Sequence, residues 1–270
     1  MRYKYLKDWN SGFHDWVINR HPTEQNRQNG FMGGFIYGSK GNGKSTYCYK
    51  VMAKIYYTIN GYSKKDDEEE AYKLSLDHLI FDGDTFLDLM INNKVRQKIT
   101  PVLCLDDASM HFGTQLYKHN PPLYDAMAGE IATVRTAVTG FLITSPKRSM
   151  CAKFLRENDD YKGEALKVAG SKWMRKIRFY QWREYPDERK YKIQIPFQDE
   201  YSCYVPDEEK TGLPFYENYV QKKRYYEIRH QIYLADKYHK KNRLIFISLL
   251  DEDKSLIPKE FHDIIKKWDE

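Results

Sequence analysis

The sequence predicts an α/β fold, with a mainly parallel sheet between helices and a mixed β-hairpin and helical C-terminal region. Three observations carry that prediction. Short apolar runs of strand character alternate with stretches of helical periodicity, the pattern that builds parallel sheets covered on both faces. A glycine-rich octet, GSKGNGKS from Gly38 to Ser45, joins the first such run to the first long helical stretch. A later apolar run, PVLCLDD, ends in the adjacent acids Asp106 and Asp107.

Residues 1–30 read as a polar N-terminal arm with spaced aromatics (Tyr3, Tyr5, Trp9, Phe13, Trp16) and one short helix. Met32–Tyr37, MGGFIY, reads as a short buried strand. Lys44–Asn60 reads as a helix, because Tyr47, Val51, Ile55 and Tyr56 recur at helical spacings. The charge run SKKDDEEE, Ser63–Glu70, reads as a solvated loop or helix start rather than a metal site. His78–Phe81 is a second strand, a helix follows through Phe86 to Val95, and Thr100–Leu105 is a third strand. Asn120 is an N-cap candidate, with Pro121 and Pro122 at first helical positions where a missing N–H costs nothing. That helix is expected to run to about Ala137, before a fourth strand, Gly140–Ser145, closed by Pro146.

The core is therefore expected over residues 31–170, followed by a β-hairpin and helical C-terminal region over residues 171–270, with no sharp boundary between them and packing of that region on the core as one arrangement. Lys176–Arg183 and Lys190–Ile195 flank the turn-rich YPDER and predict the hairpin. Tyr216–Tyr238 predicts a long tyrosine-rich helix, Leu244–Leu249 a short strand, and Pro258–Trp268 a last helix.

The octet fits Gly-x-x-x-x-Gly-Lys-Ser/Thr, a loop whose backbone amides wrap around an anion. Gly38, Gly41 and Gly43 permit the positive φ angles and close approach this needs. A helix starting at Lys44 turns its free N–H groups and the positive end of its dipole toward the same point. Lys44 is the candidate to bridge the β- and γ-phosphates and Ser45 the candidate Mg²⁺ ligand. Ser39, Lys40, Asn42 and Thr46 complete the candidate nucleotide contacts. Asp106, at the carboxyl end of a buried strand, is the candidate second Mg²⁺ residue. Asp107 is placed to orient or deprotonate an attacking water, a helix cap or loop residue being the alternative. Thr144 and Ser145 end the fourth strand, where a hydroxyl can help hold that water; plain strand-end residues are the alternative reading.

GSKGNGKS, LCLDD and FLITSP, in that order, resemble the P-loop ATPases of the additional-strand group. Within that group they are most similar to AAA+ proteins of the DnaA/DnaC kind, and LDDASMHF is loosely similar to small ATPases of archaeal viruses and plasmids. The resemblance covers roughly residues 30–160. It implies ATP contacts from Gly38 to Ser45, Mg²⁺ at Ser45 and Asp106, a catalytic role for Asp107 and a sensor role for Thr144. It also implies a homo-oligomer, with a ring as one arrangement, in which a neighbouring subunit supplies an arginine. Arg135, Arg148 and Arg156 are the candidates, and Arg156 lies nearest the position of the AAA+ pattern. Two departures stand out. Asp107 is shorter than the Glu common at the second acid, and no sensor-2 helix with its arginine is legible. The second departure keeps FtsK/HerA-like packaging ATPases as an alternative.

The net charge of +6, with 30% charged residues, permits a polyanionic partner. Lys147, Arg148, Lys153 and Arg156 form one basic cluster, and QKKRYYEIRH with KYHKKNR forms another. In KWMRKIRFYQWR the cations Lys172, Arg175, Lys176, Arg178 and Arg183 interleave with Trp173, Phe179, Tyr180 and Trp182. Cations neutralise phosphates and aromatics stack on unpaired bases, so this stretch is the candidate DNA contact, single- or double-stranded. The alternative is a hairpin with one packed and one solvated face. No helix-turn-helix is legible near the C-terminus, which argues against sequence-specific duplex reading. His111 reads as a nucleotide sensor or a packed loop histidine.

Cys48, Cys104, Cys151 and Cys203 are too widely spaced for a paired zinc or redox motif, and Cys48 and Cys104 lie in apolar segments as expected of buried thiols. The N-terminus has no apolar signal core, and no apolar run approaches the roughly 20 residues of a membrane helix. A soluble, cytoplasmic protein with no membrane partner is expected. The expected function is a Mg²⁺-dependent ATPase acting on DNA as a replication initiator or helicase loader. Alternatives are a packaging or translocating motor, a small-molecule kinase, and a nucleotide switch with little turnover.

Overall fold

Strand β1 (Met32–Tyr37) lies inside a seven-stranded sheet with β2 (Leu79–Ile80), β3 (Thr100–Leu105), β4 (Val138–Ser145), β5 (Tyr161–Lys167), β6 (Met174–Glu184) and β7 (Lys190–Ser202). The computed structural model describes residues 6–23, 30–64, 66–114, 118, 120–157, 161–184, 190–203, 216–237 and 240–268. The strand order is β2-β3-β4-β1-β5-β6-β7. The first five strands in that order are mutually parallel, whereas β6 and β7 continue the sheet as an antiparallel hairpin. All six residues of MGGFIY but the last, and all eight of VTGFLITS, are buried, as parallel strands covered on both faces require.

Helices α1 (Gly12–Ile18), α2 (Lys44–Ile59), α3 (Asp67–Asp77), α4 (Gly83–Val95), α5 (Ala108–His111), α6 (Pro121–Ala132) and α7 (Lys153–Glu157) belong to the same unit. Phe35, Leu103, Leu105, Phe141 and Ile143 of the sheet pack with Phe86 and Met90 of α4 and Met127 and Ile131 of α6. The alternate strand residues serve α2: Tyr56 donates its hydroxyl to the Val102 carbonyl at 2.7 Å, and Cys48 lies against Cys104. Asn120 caps α6 as expected, accepting from the Leu123 N–H at 3.3 Å with Pro121 in the first turn. That helix ends at Ala132, earlier than expected, and a 3₁₀ turn over Val134–Thr136 leads into β4.

Two elements differ from the sequence reading. Strand β5 was not foreseen, because YKGEALK has no apolar run and alternates only partly. Leu244–Leu249 is not a strand but part of helix α9 (Lys240–Glu252), which follows α8 (Tyr216–Lys237) and precedes α10 (His262–Lys266). A short apolar run fits a strand and a buried helix equally well. Here Leu250, Phe246, Ile247 and Leu249 pack with Ile232, Ile257, Phe261 and Ile265, while Leu244 and Ile245 are exposed. Contacts fall on one side of a helix and leave the other in solvent.

The chain divides into two compact units, Met1–Tyr216 and Glu217–Glu270. The hairpin belongs to the first unit, since β6 pairs with β5 along seven residues. In the hairpin Arg178 pairs with Gln198 and Tyr180 with Gln194, so β7 carries a bulge across residues 195–197. Pro196 sits in that bulge, the kind of position in a strand where a residue without an N–H is tolerated.

Candidate nucleotide-binding site

The loop after β1 and the acids after β3 emerge at the same edge of the sheet, because both strands are parallel. Gly38, Gly41 and Gly43 all have positive φ, at 146°, 77° and 76°. Gly43 is constrained twice over. It is the left-handed N-cap of α2, and a Cβ built there would lie 2.1 Å from the Cys203 sulfur. No other residue meets both demands. At Gly38 a Cβ would lie 2.8 Å from the Ala165 carbonyl oxygen of β5.

Lys44 is 7% exposed, and its ammonium donates to the Gly38 carbonyl at 2.9 Å and the Ser39 carbonyl at 3.1 Å. It is thus folded across the loop mouth, with its charge held at the first two residues of the octet. Ser39, Lys40 and Gly41 are exposed, and Asn42, Gly43, Ser45 and Thr46 are half-buried. Asn42 donates its side-chain amide to the Ala165 carbonyl at 2.9 Å, tying the loop to β5.

Opposite the loop, register explains the acids. Strand β4 lies between β1 and β3, with Thr144 beside Ile36 and Ile143 beside Leu105. Asp106 is fully buried; its N–H donates to the Ile80 carbonyl at 2.8 Å, and its carboxylate accepts from the Thr144 hydroxyl at 2.5 Å. The same hydroxyl oxygen accepts from the Asp107 N–H at 2.9 Å. Thr144 therefore links the two acids. Asp107 is left-handed, with φ 48° and ψ 42°, and takes the N-cap position of α5, where its side chain makes no capping hydrogen bond. Ser145 donates to the Lys147 carbonyl at 2.9 Å. Burial pushes the Cys104 thiol well up, with Cys48 and Asp106 adding to the effect, so it stays protonated behind the acid.

Among the described residues no cluster of three or more His, Cys, Asp or Glu forms a metal site. The Ser45 hydroxyl and the Asp106 carboxylate are oxygen donors of the kind Mg²⁺ takes beside substrate phosphates.

Several contacts escaped the sequence reading. Tyr201 of β7 donates its hydroxyl toward the Asn42 and Gly43 carbonyls, at 3.1 and 3.0 Å. Two residues earlier, Asp199 is 2% exposed and accepts from Ser11 at 2.5 Å, the Gly12 N–H at 2.7 Å and Tyr47 at 2.6 Å. Burial raises the Asp199 carboxyl, and these hydrogen bonds pull it back down. Nothing local marks either residue, since their partners lie more than a hundred positions away.

The arginine candidates are spread out. Arg135 is exposed on the turn before β4, at the opposite end of that strand from Thr144. Arg148 donates to the Arg156 carbonyl at 2.5 Å and lies over the Phe35 ring, 5.6 Å from its centroid. Arg156 is half-buried in α7, and His111 is half-buried in α5 beside Phe112. Of the candidate DNA contacts, Lys172 is exposed over Trp173, and Lys176 and Arg178 are half-buried. Arg175 turns inward instead: it is 8% exposed and donates to the Lys172 and Met174 carbonyls at 3.0 and 2.9 Å. The side chains of Trp182 and Arg183 lie outside the described residues.

This is the P-loop NTPase fold: a phosphate loop after the first strand, an acid-tipped strand, and a strand inserted between them. No protein-family model matches the chain. An uncharacterized protein, B-251, of Sulfolobus spindle-shape virus 1 is 28% identical over 141 residues, covering 52% of this chain. The chain spans about half the length of that curated relative, 51%. Among solved structures, the N-terminal domain of zonular occludens toxin from Neisseria meningitidis is similar over 66% of this chain and 96% of its own, at 12% identity and a TM-score of 0.38. A KaiC-like protein from Pyrococcus horikoshii covers 66% of this chain and 97% of its own, at 11% identity and a TM-score of 0.33. Among the described residues no helix is long and apolar enough to cross a membrane.

Proposed function

We propose that this chain is a Mg²⁺-dependent ATPase whose hydrolysis acts on DNA. One observation carries the reading: a buried lysine spanning a glycine-formed anion cradle shares a sheet edge with a buried carboxylate hydrogen-bonded to Thr144. Amides of the loop and the Lys44 ammonium bind the phosphates and offset charge on the transferring phosphoryl group. Ser45 and Asp106 would hold Mg²⁺, which would add to the neutralisation of phosphate charge. Asp107 orients the attacking water and accepts its proton. Thr144, engaged by both acids, acts here by fixing them.

Two DNA roles follow the same core. The initiator or helicase-loader role rests on the similarity of GSKGNGKS, LCLDD and FLITSP to AAA+ proteins. A packaging or translocating motor is favoured by one feature, the hairpin that continues the sheet directly after β5, where the AAA+ pattern calls for helices bearing a sensor-2 arginine. In either role the protein works as a homo-oligomer, and Arg156 is the first arginine to test in trans.

Phosphate release from ATP, by wild type and Lys44→Ala, with and without single- and double-stranded DNA, tests the proposal. Lys44-dependent turnover that rises with DNA supports it, and the preferred strand form ranks the two roles. Unchanged turnover in Lys44→Ala overturns the site. Tight ATP binding without turnover under every condition replaces hydrolysis with a nucleotide switch.

A further inference from the structure

The phosphate loop binds anions with main-chain N–H groups, so its affinity depends on which way its peptide planes face. In a trans peptide the C=O and the following N–H point to opposite sides. The chain has no cis peptides among the described residues. The carbonyl of Asn42 therefore reports the direction of the Gly43 N–H, and the carbonyl of Gly43 that of the Lys44 N–H. Both carbonyls face one group, the Tyr201 hydroxyl, at 3.1 and 3.0 Å. Both amides accordingly point away from β7, on the side opposite Tyr201.

We infer that Tyr201 is a positioning residue of the phosphate loop, aiming the Gly43 and Lys44 amides by holding the carbonyls behind them. This rests on the reading of the loop as a nucleotide site.

The hydroxyl is well fixed for that task. Tyr201 is fully buried, and its ring packs on Tyr47 of α2 at a centroid distance of 5.2 Å. Tyr47 is held in turn by Asp199, on the same strand as Tyr201. Cys203 closes the other side: its N–H donates to the Trp173 carbonyl at 2.8 Å, and its sulfur occupies the space a Gly43 side chain would need. Burial raises the Tyr201 pKa well above its ordinary value, so the group stays a neutral donor. The hydroxyl faces both carbonyls, with the Cys203 side chain as a further hydrogen-bond neighbour, so it meets two peptide planes from one side. The Gly43 carbonyl also accepts the first helical bond of α2, from the Tyr47 N–H at 2.9 Å. Tyr201 thus braces the loop where it becomes helix.

The test is Tyr201→Phe, which removes the hydroxyl and keeps the ring. Calorimetric titration with ATP and, separately, with inorganic tripolyphosphate, both with Mg²⁺, reads affinity for the whole nucleotide and for the anion alone. The expected result is about tenfold weaker binding of both ligands, the size of one hydrogen bond. Replacing Tyr201 with 4-aminophenylalanine restores a donor at the same place and should recover the affinity. Unchanged affinity in Tyr201→Phe overturns the inference, as does a lower melting temperature with both affinities intact, or a loss that the amino analogue does not rescue. If wild type binds neither ligand, the nucleotide reading falls and this inference with it. If wild type binds both ligands and Tyr201→Phe binds them equally well, the nucleotide reading stands and Tyr201 is merely packed there.

Discussion

The two halves of the site sit at one sheet edge but are held by different means. The loop is braced through its main chain by residues remote in sequence: Ala165 of β5 receives Asn42, and Tyr201 of β7 holds the carbonyls of Asn42 and Gly43. The acids are braced through a side chain on the adjacent parallel strand, Thr144, which touches both Asp106 and Asp107. Anion binding by amides needs peptide planes fixed in direction, whereas placing a carboxylate needs one well-aimed hydroxyl. The contrast teaches that damage to the main-chain brace of the loop should appear in affinity and damage to the acid side in turnover, with Lys44, which meets the transferring charge itself, counting in both.

The largest expected effect is that of Lys44→Ala, which removes the only cation of the loop that is folded over its mouth. Turnover should fall by about a thousandfold, as for loss of a main electrostatic stabiliser, and ATP affinity should fall with it. Thr144→Val sharpens the contrast. It removes one donor to the Asp106 carboxylate and one acceptor of the Asp107 N–H, and roughly 10- to 100-fold lower kcat is expected with ATP affinity nearly unchanged. Steady-state kinetics beside equilibrium titration separates the two; an equal loss in both parameters would erase the distinction between loop and acids.

Asp199→Ala attacks the support of the loop from behind. Ser11, Tyr47 and the Gly12 N–H lose a shared buried acceptor, and about 3 kcal/mol of stability should go with it. Urea unfolding checks this, and a loss below about 1 kcal/mol would mean that water takes over the role.

The smallest effect is at Lys50, 4% exposed on α2 with its ammonium 5.2 Å from the centre of the Trp9 ring. Burial pulls its pKa down to about 8, against 10.5 for a free lysine, with Cys203 and Glu68 opposing the shift. Between those values the unfolded chain binds the extra proton, so this group makes stability rise with pH across that window. Lys50→Met should be more stable than wild type at pH 7 by roughly 1–2 kcal/mol, and the margin should shrink from pH 8 upward. A margin that grows with pH would show that Lys50 is stabilised in its charged form.

Much of the parallel part of the sheet is legible in the sequence. Met32–Tyr37 and Thr100–Leu105 were read with the bounds the structure has, because buried parallel strands are continuous apolar runs. Asn120 with Pro121 announced its helix through capping chemistry, which is local. β5 was not legible, since Tyr161–Lys167 gets its strand identity from the edge of β1 and from β6 rather than from its own composition. The run from Leu244 to Leu249 was misread because only its packing against α8 and α10 separates helix from strand.

The division has a physical cause. Positive φ, a helix N-terminus, a lysine one residue inside it and an acid at a strand tip are all requirements that neighbouring residues satisfy, so a single chain spells them out. The brace behind the loop obeys no such rule. Tyr201 lies 158 residues from Gly43, and Asp199 lies 188 from Ser11. A tyrosine and an aspartate in an alternating strand look like any others until the antiparallel hairpin brings the end of β7 against the phosphate loop.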